Sequence, residues 1–218
     1  MAQAKVAVIT GGSRGIGLAI AHAFAAAGYS VVIIGRNEPD LNNSVAQLGK
    51  YGVQVQASLC DVADPTAVET LFLKLRQNYN SIDVLVNNAG MAHPLLPVEQ
   101  LPFDTWKRVL DTNLTGTFLV TQAALPLMKA GGTIVNNLSV AALQPFAGMS
   151  AYNAAKFGAM GFTQALREEV RKRGIRVLAL IPGATNTDIW NQFWPEAPKE
   201  KMISPETVAQ AVLHAVSA

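Results

Sequence analysis

The sequence predicts an α/β protein: a doubly wound parallel sheet, Rossmann-like, in three α/β/α layers. Two observations carry this. Short apolar, β-branched runs alternate along the whole chain with longer segments rich in Ala, Leu, Gln and Lys. A glycine-rich stretch, "TGGSRGIG" (10–17), directly follows the first run and opens the first helical segment. Mostly apolar strands that each feed a helix need cover on both faces, the condition of a parallel sheet. Crossovers in such a sheet are right-handed, which leaves the doubly wound order as the simplest topology.

The expected strands are "KVAVIT" (5–10), "SVVIIG" (30–35), "VQVQASLC" (53–60), "DVLVN" (83–87), "GTIVNNLS" (132–139) and "IRVLALI" (175–181). Helices are expected at 15–28, 64–79, 112–128 and 150–173, with a last one in "PETVAQAVLHAVSA" at the chain end. The stretch 183–204 is irregular and carries Trp190, Phe193 and Trp194. There is no internal repeat, low-complexity segment or linker, so the 218 residues read as a single domain, 1–218.

Half the residues are hydrophobic and 15% are charged, with a formal net charge of +2. That balance suits a compact globular protein and gives no nucleic-acid footprint. Cys60 is the single cysteine, which rules out an internal disulfide and makes a reducing compartment the default. No apolar run is long enough to span a bilayer, and the N-terminal run is too short for a signal-peptide core. A soluble, cytoplasmic protein without nucleic-acid or membrane partners is expected. No His, Cys and carboxylate cluster has metal-ligand spacing, so no metal is expected.

A helix N-terminus presents unpaired N–H groups and the positive end of its dipole, and therefore attracts a pyrophosphate. Glycines in the preceding turn let the backbone approach that ligand. The spacing in 10–17 is G-x-x-x-G-x-G, and a tight strand-to-helix turn without a ligand is the plainer reading. Its place, after the first strand and before the first helix, favours a dinucleotide. The second strand then ends in Gly35-Arg36-Asn37. An NAD site usually has a carboxylate there for the ribose 2′-hydroxyl. Arginine instead grips a 2′-phosphate, and Arg14 supplies a second cation. The absence of the carboxylate and the presence of both arginines point to NADP.

The stretch "SAYNAAKFGAMG" (150–161) reads as helix and puts Tyr152 and Lys156 on one face. Such a pair is either a solvated edge or an acid with the cation that tunes it. At this point the chain resembles the short-chain dehydrogenase/reductase family in its single-domain form. The matching residues are "TGGSRGIG" (10–17), "NNAG" (87–90), Asn113 in "NLTG", Ser139, Tyr152-x-x-x-Lys156 and "PGATNT" (182–187). The resemblance implies a catalytic set of Asn113, Ser139, Tyr152 and Lys156. It implies cofactor contacts from Gly11, Ser13, Arg14, Gly15, Ile16 and Gly17 in the first turn, and from Arg36. Asp61 and Val62 would contact adenine, and Asn88, Ala89 and Gly90 would line the cofactor floor. Tyr152, Lys156, Pro182, Gly183 and Thr187 would hold the nicotinamide end. Asn113 would hold Lys156 through a water.

The chemistry fits these residue types. Reducing a carbonyl takes a hydride from the cofactor and a proton to the oxygen. A tyrosine with a pKa of roughly 10 is poorly matched to neutral pH, and a nearby cation lowers it. Lys156 is expected to do this, with the oxidised nicotinamide as a second positive charge. Ser139, expected at the end of the fifth strand, would donate a hydrogen bond to the substrate oxygen. The pocket walls are expected from 91–97, 142–149 and 186–203, all apolar with few charges. They favour a small, uncharged, partly hydrophobic ketone or aldehyde, as in 3-oxoacyl or carbonyl reductases. Trp190, Phe193 and Trp194 either line that pocket or pack a short helix, and His93 either borders it or lies exposed. His22 and His214 read as ordinary helix positions, and Cys60 as buried and inert.

The chain ends at Ala218, after the last helix, without the family's usual final strand. Part of the pocket wall and one subunit contact are therefore expected to be missing. A homodimer through the helices at 112–128 and 150–173 is expected, with Gly158, Ala159 and Gly161 permitting close approach. A second function class stays open: an NADP-binding regulator or scaffold of the same fold with little catalysis.

Overall fold

The computed structural model describes residues 4–218. Six strands form one sheet: β1 (Val6–Thr10), β2 (Ser30–Gly35), β3 (Val55–Leu59), β4 (Ile82–Asn87), β5 (Met128–Asn137) and β6 (Arg176–Leu180). Their spatial order is β3-β2-β1-β4-β5-β6 and every pairing is parallel. The expected doubly wound sheet is what the chain forms. Among the described residues no strand lies beyond β6.

The helices are α1 (Gly15–Ala26), α2 (Glu38–Leu48), α3 (Pro65–Asn78), α4 (Phe103–Leu110), α5 (Gly116–Ala124), α6 (Ser150–Arg171) and α7 (Pro205–Ser217). Side-chain alternation in β1 sends Val6 and Val8 to one face and Ala7 and Ile9 to the other. The first pair joins Leu71, Phe72, Val120 and Leu166 from α3, α5 and α6. The second joins Ile20, Phe24, Leu41 and Val212 from α1, α2 and α7. These two cores are the reason the central strands are apolar on both faces.

Three differences from the expected elements have physical causes. The helices α2 and α4 were not read from the sequence, because "EPDLNNSVAQL" and "FDTWKRVL" are polar and short. Proline near the N-terminus and the Asn37 side chain, which accepts from Asp40 N, start α2 despite its composition. The segment expected as one helix at 112–128 begins with a wide turn, Asp111–Thr115, between α4 and α5. It is a π-type insertion, and Asn113 sits in it. Finally, β5 starts earlier and ends earlier than expected. Ser139 lies two residues past its end and caps the short 3-10 turn Val140–Ala142.

The order of strands reverses between β1 and β4, where the chain turns to build the other half of the sheet. A cleft at that point, outside the carboxyl ends of the strands, is the consequence of the topology.

Candidate active site

The glycine turn closes one end of the cleft. Gly15 opens α1 at φ +53°, a conformation that side chains resist. A Cβ at Gly17 would lie 2.1 Å from the Gly11 carbonyl oxygen, so only glycine lets the turn fold back on itself. Thr10 ties this turn to the next strand: its Oγ1 accepts from the N–H groups of Asn88 and Ala89 at 2.9 and 3.0 Å.

From there a chain of hydrogen bonds crosses the sheet. Asn88 Nδ2 donates to the carbonyls of Thr10 and Gly11 at 3.0 and 3.2 Å. Asn137 Nδ2, at the end of β5, donates to Asn88 Oδ1 at 2.8 Å. Lys156 Nζ, on α6, donates to the Asn137 carbonyl at 3.0 Å. The glycine turn and the lysine are thus set by one polar path. Neither Asn137 nor its place in that path was found from sequence. It follows another asparagine in an apolar strand, and that pairing of amides was the available signal.

Lys156 is buried and lies 5.5 Å from the centre of the Tyr152 ring. Burial pulls its ammonium down to about 8. The expected lowering of the Tyr152 pKa by this lysine is not found. Burial raises the phenol, and the hydrogen bond with the Ser139 side chain is what lowers it. The lysine's charge is directed at the Asn137 carbonyl and over the ring, and burial weakens that charge in turn. Ser139 Oγ accepts from Ala141 N at 3.1 Å, which leaves its own O–H to donate towards the Tyr152 oxygen.

Asn113 is buried in the wide turn. Its Oδ1 accepts from Met91 N at 2.9 Å and its Nδ2 donates to Met91 O at 2.8 Å. It grips the loop after β4, and these bonds do not reach Lys156. A Cβ at Gly90 would come 2.7 Å from Asn113 Oδ1, which explains the glycine there.

The cleft has a volume of about 750 Å³. Gly11, Ser13, Arg14, Gly15, Ile16, Arg36, Val62, Asn88, Ala89 and Gly90 line it, as do Asn113, Ser139, Tyr152, Lys156, Pro182, Gly183 and Thr187. Two expected cofactor residues do not. Gly17 is buried beneath the turn, and Asp61 stands outside the lining. Asp61 instead pairs with Arg36, Nη1 to Oδ2 at 3.4 Å, with both side chains half-exposed. Cys60 does line the cleft, and burial followed by the charges of Asp61 and Asp64 pushes its thiol up to about 11.

At the opposite end Leu95, Phe146, Met149, Trp190, Phe193 and Trp194 form an apolar wall. The three aromatics expected either to pack or to line do both. Trp190 packs against Phe193 with ring centroids 4.8 Å apart and the planes tilted by 38°, and donates from its indole to the Thr185 carbonyl at 2.8 Å. Gln192 accepts from Ala92 N at 3.0 Å and joins this segment to the loop after β4. His93 neither borders the cleft nor lies exposed: it is 1% exposed, bonded through Nδ1 to the Pro94 carbonyl.

The short chain dehydrogenase family profile matches residues 5–198. A 3-oxoacyl-[acyl-carrier-protein] reductase of Chlamydia muridarum is 37% identical, over 98% of this chain and 90% of that protein. A 3beta-hydroxysteroid dehydrogenase of Mediterraneibacter gnavus is also 37% identical, over 85% of this chain and 67% of that protein. Among solved structures, an alcohol dehydrogenase of Thermococcus sibiricus complexed with 5-hydroxy-NADP superposes with a TM-score of 0.92 at 30% identity, covering 99% of this chain and 92% of that one. A short chain dehydrogenase of Burkholderia cenocepacia in complex with NADP gives 0.91 at 33% identity, covering 98% and 91%.

Proposed function

The chain belongs to the short-chain dehydrogenase family, and on that premise we propose that it is an NADP-dependent oxidoreductase. Its substrate is a small, uncharged, partly hydrophobic ketone or aldehyde of the 3-oxoacyl or carbonyl-reductase kind. The observation that carries this reading is the joining of Tyr152, Ser139 and Lys156 to the glycine turn along one cleft.

The residues fit a dinucleotide phosphate. The glycine turn is a cradle that a Cβ at Gly17 would fill. Arg14 and Arg36 stand exposed at the same end of the cleft with no carboxylate in the usual NAD position. The Arg36–Asp61 contact is long and solvated, worth on the order of 1 kcal/mol or less, so a phosphate dianion competes with Asp61 for the guanidinium. Val62, Asn88, Ala89 and Gly90 continue the floor of the cleft, and Lys156, Pro182, Gly183 and Thr187, which also line it, would hold the far end of the cofactor. The relatives complexed with NADP or its analogue support this choice.

The bound cofactor supplies or accepts the hydride at carbon 4 of the nicotinamide. Tyr152 keeps its phenolic proton in the buried site and gives it to the substrate oxygen as that oxygen becomes an alkoxide. Ser139, its acceptor side occupied by Ala141 N, donates to the same oxygen. Lys156, its ammonium on the Asn137 carbonyl and beside the Tyr152 ring, would hold the nicotinamide ribose, with Asn113 steadying the adjoining loop at Met91. The apolar wall at Phe146 and Trp190 accepts the substrate's hydrocarbon part and gives a sugar phosphate or di-acid no cation. A panel of ketones, aldehydes and 3-oxoacyl thioesters with NADPH, followed by absorbance of the reduced cofactor, tests the reading. Oxidation of NADPH by apolar members supports it, and silence across the panel favours a regulator or scaffold.

The protein works in the cytoplasm as a homodimer. Phe118 on α5 and Phe157 on α6 are 42% and 45% exposed on the neighbouring helices, and Gly161 has open space above it. Gly158 and Ala159, expected in the same contact, pack inward: Gly158 against Leu114, and Ala159 in the core. Light scattering in dilute solution gives a mass of two chains if this is right and one chain if it is wrong.

A further inference from the structure

Ser139 and Tyr152 stand on different elements, separated by a loop with little regular structure, yet their hydroxyls must meet one substrate oxygen. The side chain that holds the two elements together is Asn153, the residue after the tyrosine. It is 8% exposed. Its Nδ2 donates to the carbonyls of Ala141 and Gln144 at 2.9 and 3.0 Å, and its Oδ1 accepts from Phe146 N at 3.0 Å. Both amide protons and one oxygen lone pair are used, all on loop backbone.

The link to Ser139 is a single residue. Ala141 offers its carbonyl to Asn153 and its N–H to Ser139 Oγ at 3.1 Å. That N–H occupies an acceptor position of the serine hydroxyl and leaves its proton to point into the site. Holding the 141 carbonyl from α6 therefore steadies the Ala141 backbone on which the Ser139 hydroxyl rests, and with it the place of Ser139 relative to Tyr152. The same side chain fixes Phe146, which lines the substrate end of the cleft.

We propose that Asn153 is a positioning residue that sets the register of Ser139 against Tyr152, a role that rests on the reading of those two hydroxyls as acting on one substrate oxygen. Only an amide serves. A carboxylate there would face two carbonyl oxygens, and an aliphatic side chain would leave two acceptors and a donor unpaired in a buried place.

The test is a double-mutant cycle in the full-length protein with NADPH and a ketone substrate: Asn153→Ala, Ser139→Ala and both together. Asn153→Ala is expected to lower kcat by about 10- to 100-fold, since misplacement by about 1 Å reaches ~10². NADPH affinity should stay within about twofold, because no cofactor-facing group moves. In the Ser139→Ala background the same substitution should cost less than about threefold, the coupling expected of residues that act as one unit. If Asn153→Ala does not fold, Asn153→Ser carries the same cycle. Full multiplication of the two effects, or a variant that melts earlier but turns over normally, overturns the proposal. If Ser139→Ala alone leaves kcat unchanged, the role of Ser139 falls first, and the clamp acting through it falls with it.

Discussion

The two ends of the cleft are built in different ways. At the phosphate end the shape is made by backbone: Gly15 at positive φ, Gly17 beneath the Gly11 carbonyl, and Thr10 and Asn88 tying loops by main-chain hydrogen bonds. At the substrate end the shape is made by side chains: Phe146, Trp190, Phe193 and Trp194, with Phe146 and Trp194 half-exposed. A surface made of backbone tolerates little change and binds one kind of ligand. A wall made of exposed side chains is free to change with the substrate while the fold stays put.

The largest contrast follows directly. Gly17→Ala drives a methyl group into the Gly11 carbonyl and should lower NADPH affinity at least ~100-fold or prevent folding, a clash well beyond ordinary overpacking. Trp194→Ala, at the other end, should leave stability within about 1 kcal/mol and NADPH affinity unchanged while raising the substrate KM. Thermal melts and fluorescence titration of both variants check this. Equal damage to cofactor binding by the two would erase the comparison.

Arg36→Asp probes the one place where the phosphate end relies on side chains. It should cost NADPH about one to two decades of affinity, as loss of a charge-assisted contact does, and leave NADH nearly untouched. Titration with both cofactors measures it, and an equal loss for both would show that Arg36 does not face the 2′-phosphate.

Lys156 joins the two ends and is the buried charge on that path. Its folded pKa, about 8, lies below the value near 10.5 of an exposed lysine. Below pH 8 it is charged in both states and the fold bears its full desolvation cost. Between pH 8 and 10 the unfolded chain keeps a proton that the folded one has shed, so stability from this group rises with pH. The rise should be roughly 2–3 kcal/mol relative to Lys156→Met, read from denaturant unfolding at several pH values. A difference that stays flat or falls across that window would mean the lysine is not desolvated.

The same contrast explains what the sequence made legible. Glycine turns, strand periodicity and the Tyr152–Lys156 spacing are local patterns, and the doubly wound sheet came out as expected, with the glycine turn lining the cleft at Gly11 and from Ser13 to Ile16. The resemblance to the family rests on the same motifs. What was missed depends on contacts distant in sequence. Asn113 turns out to bond Met91, Asp61 bonds Arg36, and Asn137 bridges Asn88 and Lys156. The tuning of Tyr152 also could not be read from helical spacing. The four-residue offset places Lys156 beside the ring, but burial of both groups decides the pKa, and burial is a property of the folded whole.

The central claim is that Tyr152 delivers the proton in a reduction that NADPH drives. Tyr152→Phe keeps the ring and removes only the hydroxyl. Its steady-state turnover of an apolar ketone, measured beside its NADPH affinity, should fall by ~10²-fold or more with affinity held within a few-fold. A variant that binds NADPH normally and keeps more than about a tenth of the rate would contradict the account.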